Sequence, residues 1–282
     1  MNEPVAYHPN KNSISVEQKD QLLSYLNDKL EIDFSQYSES SVRRRISKIL
    51  MELKFSDVEE YIKYLDQQPN PREVFIEKFT VNVTEMFRDP FFYSCFGRLI
   101  QQLASEKDHI KIWSAGCSSG EEILSLAILL KENNLLHKAS ILGTDLSAAI
   151  LDLAKSKTYK HRHIANYEES YKEAGGKFSL EKYYSQDGEN VIFHDDLYHS
   201  ISFMENDLMT TPPASDFDII ICRNVLIYFN PQLQNSILGK FCTCLNDGGH
   251  LILGSKESII FFEDRNAFVE IEPESSIYKK VK

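Results

Sequence analysis

A loop punctuated by two glycines and a single acid downstream of it are the residues of this chain best placed to do chemistry. Residues 110–122 read IKIWSAGCSSGEE, and residues 141–145 read ILGTD. An apolar run ends in a loop of Ala115, Gly116, Ser118, Ser119 and Gly120. A helical pattern follows at Ile123, Leu124, Leu126, Ala127 and Leu130, and a second apolar run ends on Asp145. Strand, glycine loop, helix, strand and acid make the first unit of a doubly wound sheet, which binds a nucleoside-containing cofactor at the carboxyl ends of its strands. Glycine lets the backbone approach a ligand closely, and the acid accepts hydrogen bonds from a ribose diol. The loop reads G-x-x-x-G, not the dinucleotide fingerprint G-x-G-x-x-G. No run of glycine amides opens the helix toward a pyrophosphate. A nucleoside without phosphates fits better, and S-adenosylmethionine is the commonest such cofactor. Methyl transfer is the first reading of this unit; a nicotinamide or flavin enzyme and a vestigial site are the alternatives.

Two further segments carry polar groups at element ends. Residues 80–90 (TVNVTEMFRDP) hold Thr80, Asn82 and Thr84 and one guanidinium, Arg88; in isolation they also read as a capped helix start. Residues 222–229 (CRNVLIYF) follow a buried strand with Arg223, Asn224 and Tyr228. In a doubly wound sheet that strand end opens into the ligand crevice, and an asparagine there offers both a donor and an acceptor. Taken alone, the segment is equally a strand-to-helix turn with Asn224 as a cap.

Bulk properties narrow the class. A chain of 282 residues, 42% apolar, holds one large α/β domain and a smaller one. It has no apolar run long enough to span a membrane, and its first residues lack the pattern of a secretory signal. Five cysteines without framework spacing imply buried thiols in a reduced, cytoplasmic protein. Cys242 and Cys244 form C-x-C, with no further cluster to complete a metal site, so no metal is expected. A net charge of −11 argues against nucleic acid as the main substrate.

The elements that must position these residues are readable in outline. Helical spacing appears at 16–30, 41–55 and 91–105, and a shorter helix at 73–79. Ser56 with Glu59 reads as a capping box. Residues 216–222 (DFDIIIC) read as a buried parallel strand. A helix is expected at 231–245, a turn at Asp247, a strand at 250–254, and a terminal antiparallel hairpin from 267–271 and 276–281. Between Tyr167 and Tyr198 the pattern shifts to short alternating runs, read as a small inserted β subdomain. The expected domains are a helical one at 1–80, a linker and helix at 81–109 contributing to the cofactor site, and a sheet domain at 110–282.

Taken together, in order and spacing, these segments resemble the chemotaxis-receptor methyltransferases of the CheR type. In the helical domain the resemblance rests on Ile32-Asp33-Phe34, Tyr37 and 42–46 (VRRRI). It continues in Asn82, Thr84 and 87–90 (FRDP), then in 113–122 (WSAGCSSGEE) and Thr144-Asp145. It ends in 222–225 (CRNV), 227–229 (IYF), and Gly254 with Glu257-Ser258. The resemblance implies a Rossmann-like methyltransferase fold and transfer of a methyl group from S-adenosylmethionine to glutamate side chains, leaving S-adenosylhomocysteine. Asn82, Thr84 and Arg88 would close over the methionine end. Glu122, in preference to Glu121, would face its amino group, and Gly116 and Gly120 would line the loop. Asp145 would hold the ribose, Asp207 and Leu208 would lie near adenine, and Asn224 and Val225 would supply strand-end contacts. Arg88 and Tyr228 are the catalytic candidates. Three positions depart from the family pattern: Asp207 where asparagine is usual, Met86 where an aromatic is usual, and the stretch Ser255-Lys256.

The implied chemistry asks little of acids and bases. A glutamate, with a pKa of about 4.3, is already ionised at neutral pH, so the protein must align the reacting groups and exclude water. The implied partner is a methyl-accepting receptor or related signalling protein, with no nucleic acid and no membrane insertion, and a monomeric enzyme. Arg43, Arg44, Arg45 and Lys48 form a basic strip on one helix and are the docking candidates. The competing readings are a methyltransferase of the same fold acting on another protein in a different signalling pathway, and a non-catalytic module sensing S-adenosylmethionine or S-adenosylhomocysteine.

Overall fold

The computed structural model describes residues 14–81 and 83–282. The chain divides into two compact units, one running up to Val81 and including Tyr228–Asn230, the other holding the remainder.

The first unit is helical: α1 (Val16–Leu30), α2 (Glu39–Leu53), α3 (Val58–Asp66) and α4 (Pro71–Phe79). Each helix has one apolar face, and those faces meet. Leu22, Leu26, Val42, Ile46, Val58, Tyr61, Leu65 and Phe75 are buried together with Phe34. The Phe34 and Phe79 rings lie 4.3 Å apart, and Phe229 packs edge-on against Tyr37 at 4.8 Å. Ser15 and Gln18 form a reciprocal capping box on α1. The box expected at Ser56 and Glu59 lies one residue on. Asp57 is the cap of α3, accepting from the Glu60 N–H, and Glu60 accepts in return from the Ser56 N–H and hydroxyl. Aspartate caps as well as serine, and this register buries Val58, Tyr61 and Leu65.

The second unit opens with α5 (Pro90–Glu106), β1 (Ile110–Ala115), α6 (Glu121–Glu132), β2 (Ala139–Asp145) and α7 (Ala148–Ser156). It continues through β3 (Thr158–Lys160), α8 (Ile164–Glu173), β4 (Tyr184–Asp187), β5 (Asn190–Phe193), β6 (Ile201–Glu205) and β7 (Phe217–Cys222). It closes with α9 (Pro231–Cys244), β8 (Leu245–Leu253), β9 (Phe268–Glu272) and β10 (Ile277–Lys280). Seven strands form one sheet in the order β6-β2-β1-β7-β8-β10-β9. The first five are mutually parallel, and β10 runs antiparallel to both neighbours. Strand order reverses between β1 and β7, the switch point where an open parallel sheet leaves a ligand crevice. Every residue of β7 is buried, as a strand covered on both faces requires. The α/β architecture expected from the sequence is the one found, with its helical N-terminal unit, terminal hairpin and inserted β subdomain.

Two details differ. The subdomain starts earlier than 167: its sheet, β3-β5-β4, begins at Thr158, and 164–173 is helical. Three-residue β3 is too short to show an alternation. The turn expected at Asp247 is absorbed in β8, whose pairing with β7 shifts register between Phe217 and Ile219, while Gly248 adopts φ +74°.

The candidate cofactor site

The loop after β1 turns on two glycines. Gly116 and Gly120 have φ of +79° and +89°, in the region that other residues enter only with strain. A Cβ on Gly116 would lie 2.5 Å from Val225 Cγ2. Glycine at 116 thus lets the β1 loop and the β7 loop touch. The N–H groups of Gly116 and Cys117 both donate to the Thr144 carbonyl, at 2.8 and 2.9 Å. The loop is thereby tied to the end of β2, one residue before Asp145.

The Asp145 carboxylate accepts from the Ser118 N–H through Oδ2 at 2.9 Å and from the Ser147 N–H through Oδ1 at 3.2 Å. Burial pushes its pKa up, against the pull of these amides. Each oxygen keeps a further lone pair, which is what a ribose diol requires. The Ser118 hydroxyl beside it is buried without a partner among the described residues. These residues fit a nucleoside.

The start of α6 fits a phosphate badly. Gly120 supplies no capping side chain, and the first turn carries Glu121 and Glu122, whose charge opposes an anion at a helix N-terminus. That weighs against the nicotinamide and flavin alternatives. The two glutamates have separate environments. Glu121 is buried, accepts from the Ser119 hydroxyl at 2.6 Å, and has its pKa raised by burial. Glu122 accepts from the Ser114 hydroxyl at 2.8 Å through one oxygen and from Arg223 at 3.2 Å through the other.

Segment 83–90 reaches the same place. Met86 and Phe87 are buried; Phe87 adopts φ +55° and donates its N–H to Ser125 Oγ at 2.9 Å. Thr84 and Arg88 are half-buried. The Arg88 carbonyl accepts from Arg223 Nη2 at 3.1 Å, and Asp89 pairs with the same nitrogen at 2.6 Å. Asn82 lies outside the described residues.

At the end of β7, Asn224 takes φ +62°. The turn is organised by Glu257, a buried carboxylate from beyond β8. Its Oε2 accepts from the N–H groups of Asn224 (2.8 Å) and Gly254 (2.7 Å), and its Oε1 from those of Val225 (2.8 Å) and Leu226 (2.7 Å). Burial raises its pKa while these four amides oppose the rise. After β6, Asp207 accepts from the Met209 N–H at 2.8 Å, an Asx turn that leaves one oxygen for other partners. Lys240 of α9 clamps this loop, donating to the carbonyls of Leu208, Met209 and Thr210 at 3.0, 2.7 and 2.8 Å.

Sequence reasoning assigned no role to Arg223, Asp89, Glu257 or Lys240. The one local signal was an arginine closing an apolar strand, a position that demands buried acidic partners.

In the helical unit the basic residues separate. Arg43 donates to the Ile14 carbonyl at 2.8 Å, and Arg45 to the Phe79 carbonyl at 2.7 Å and to that of Thr80. Both are committed to backbone. Arg44 and Lys48 are exposed, with Lys48 3.5 Å from Glu52. The Tyr228 carbonyl, packed with this unit, accepts from the Ser38 N–H at 2.8 Å. Among the described residues no group of three or more His, Cys, Asp or Glu is placed to hold a metal ion, and no helix is long and apolar enough to cross a membrane.

A parallel sheet with this switch point, a glycine loop unsuited to phosphate and an amide-held acid at the end of β2 fit an S-adenosylmethionine-binding methyltransferase. Residues 82–275 match the CheR methyltransferase SAM binding domain, and residues 17–80 match the CheR methyltransferase all-alpha domain. The chain belongs to the CheR methyltransferase family, and S-adenosylmethionine is its cofactor. It is 36% identical over 252 residues to a Pseudomonas putida protein named Cher3, covering 89% of this chain and 92% of that one. It is 30% identical to a chemotaxis protein methyltransferase of Listeria innocua, covering 82% and 86%. It is 31% identical to chemotaxis protein methyltransferase 1 of Vibrio cholerae, covering 84% and 87%.

Proposed function

We propose that the chain transfers the methyl group of S-adenosylmethionine to glutamate side chains of a methyl-accepting receptor or a related signalling protein. The names of its chemotaxis relatives support the substrate class, and both of its units match one enzyme family. S-adenosylmethionine supplies a methyl already activated on a sulfonium. Asp145 holds the ribose, and Gly116 and Gly120 shape the loop around it. Asp207 and Leu208 serve the adenine end, and Asn224 and Val225 supply strand-end contacts. Asn82, Thr84 and Arg88 cover the methionine end, where Glu122 meets the ammonium. Arg88 acts nearest the transferred group. No residue acts as a general base, because a carboxylate nucleophile is already ionised. The helical unit docks the protein substrate through Arg44 and Lys48.

The single observation that carries this reading is the Asp145 carboxylate, held by the Ser118 and Ser147 amides with lone pairs to spare. Calorimetry tests it. The wild type binds S-adenosylmethionine and S-adenosylhomocysteine, and Asp145→Ala weakens both by about 1.5–3 kcal/mol, the loss of hydrogen bonds to a charged group. A wild type that binds neither, or a variant with undiminished affinity, refutes the assignment.

A further inference from the structure

We propose that Arg223 is the positioning residue for the methionine end of the cofactor site; the proposal rests on the methyltransferase reading above. Its side chain is 3% exposed, and an arginine tolerates such burial only when paired and hydrogen-bonded. The pairing here joins two segments remote in sequence. One nitrogen reaches Glu122 at 3.2 Å, in the first turn of α6. The other reaches Asp89 at 2.6 Å and the Arg88 carbonyl at 3.1 Å, just before α5. The guanidinium carbon Cζ also lies 4.3 Å from the Phe92 ring centroid. Burial works against its charge, and Glu122, Tyr93 and Asp89 more than offset that, so its pKa is raised.

This geometry does two things. Ser114 and Arg223 take one Glu122 oxygen each, which fixes the direction of that carboxylate. Sharing Arg223 with Asp89 leaves Glu122 part of its negative charge for a cationic group. The same guanidinium holds the backbone at Arg88, between Phe87 and Asp89, both at left-handed φ of 55° and 56°. Among the described residues the Arg88 side chain has no hydrogen-bond or ion-pair partner, so its aim depends on that backbone. None of these contacts involves Asp145 or the loop at 206–210. Arg223 therefore governs the amino-acid end of the ligand and not its nucleoside.

The test is a titration of the full chain with two ligands. S-adenosylhomocysteine carries the amino-acid tail; 5′-methylthioadenosine keeps the nucleoside and thioether and lacks it. Arg223→Lys keeps a charge and loses the planar fork. It is expected to weaken S-adenosylhomocysteine binding about tenfold or more and to leave methylthioadenosine within about twofold. Asp89→Asn, at a side chain 46% exposed, folds even if Arg223→Lys does not, and is expected to shift the same ratio in the same direction. Unchanged affinity for S-adenosylhomocysteine, or an equal loss for both ligands, overturns the proposal. A wild type that binds neither ligand instead refutes the methyltransferase reading itself.

Discussion

Exchanging Glu257 for glutamine changes one oxygen to an NH2 group and nothing in volume. The carboxylate accepts four backbone N–H groups, those of Asn224 and Gly254 on one oxygen and those of Val225 and Leu226 on the other. The amide has a single acceptor oxygen, so two of the four donors would face a donor. A buried N–H left without an acceptor costs about 1–3 kcal/mol. Two of them cost about 2–6 kcal/mol, offset in part because a neutral side chain is easier to bury than a carboxylate. A net loss of about 3 kcal/mol is expected, which for a unit of this size lowers Tm by roughly 6–12 °C. The same loss frees the turn that sets Asn224 at φ +62°, so S-adenosylhomocysteine should bind about tenfold more weakly. Thermal melts and calorimetry on the same sample give both numbers. A variant that melts within about one degree of wild type and keeps its affinity would show that Glu257 does not organise this turn.

Three further outcomes follow from the same geometry. Arg88→Ala should abolish methyl transfer with little change in Tm, and Arg88→Lys should be poor as well, since a point charge does not replace a planar fork; wild-type turnover in either would remove Arg88 from the site. Reversing Arg44 and Lys48 to glutamate should raise the KM for a protein substrate without altering cofactor affinity, and the effect should shrink with salt because exposed charges are screened over about 8–10 Å; equal KM at low salt would make them a merely solvated face. His250 is buried in β8 with Nδ1 unpartnered among the described residues, and burial, then Lys279, holds its pKa at about 4 against an ordinary 6.5. The unfolded chain takes up that proton first, so the stability His250 contributes is intact above about pH 6.5 and is lost, by about 3 kcal/mol, as pH falls toward 4. Urea unfolding of wild type and His250→Leu between pH 7 and 5 should show the steeper decline in wild type, and parallel curves would refute the sign.

What was legible in the chain was local. The G-x-x-x-G spacing and Asp145 lie within one strand-loop-helix-strand unit, and the continuous apolar run of β7 marks a buried parallel strand whichever neighbours it has. The helical faces of α1 and α2 repeat often enough to be read alone. What was not legible depends on partners distant in sequence. Glu257 finds its four donors at 224–226 and 254 because β7 and β8 are adjacent in the sheet. Arg223 finds Asp89 and Glu122 because β1 lies beside β7. Lys240 reaches the 208–210 carbonyls from a helix 30 residues on. The basic residues of α2 illustrate the same limit: a pattern of four like charges says nothing of which two bond backbone from elsewhere. The subdomain edge at Thr158 was missed because three residues carry no period.

Methylation of a glutamate leaves a methyl ester, and ester chemistry distinguishes it from methylation of any nitrogen. The full chain is incubated with methyl-labelled S-adenosylmethionine and receptor-containing membranes, and the acceptor is then treated with mild alkali and mapped by mass spectrometry. Label is expected on glutamate side chains, released as methanol by alkali, formed by wild type and absent with Arg88→Ala and strongly reduced with Asp145→Ala. Label that resists alkali, or that sits on a side chain other than glutamate, would contradict it.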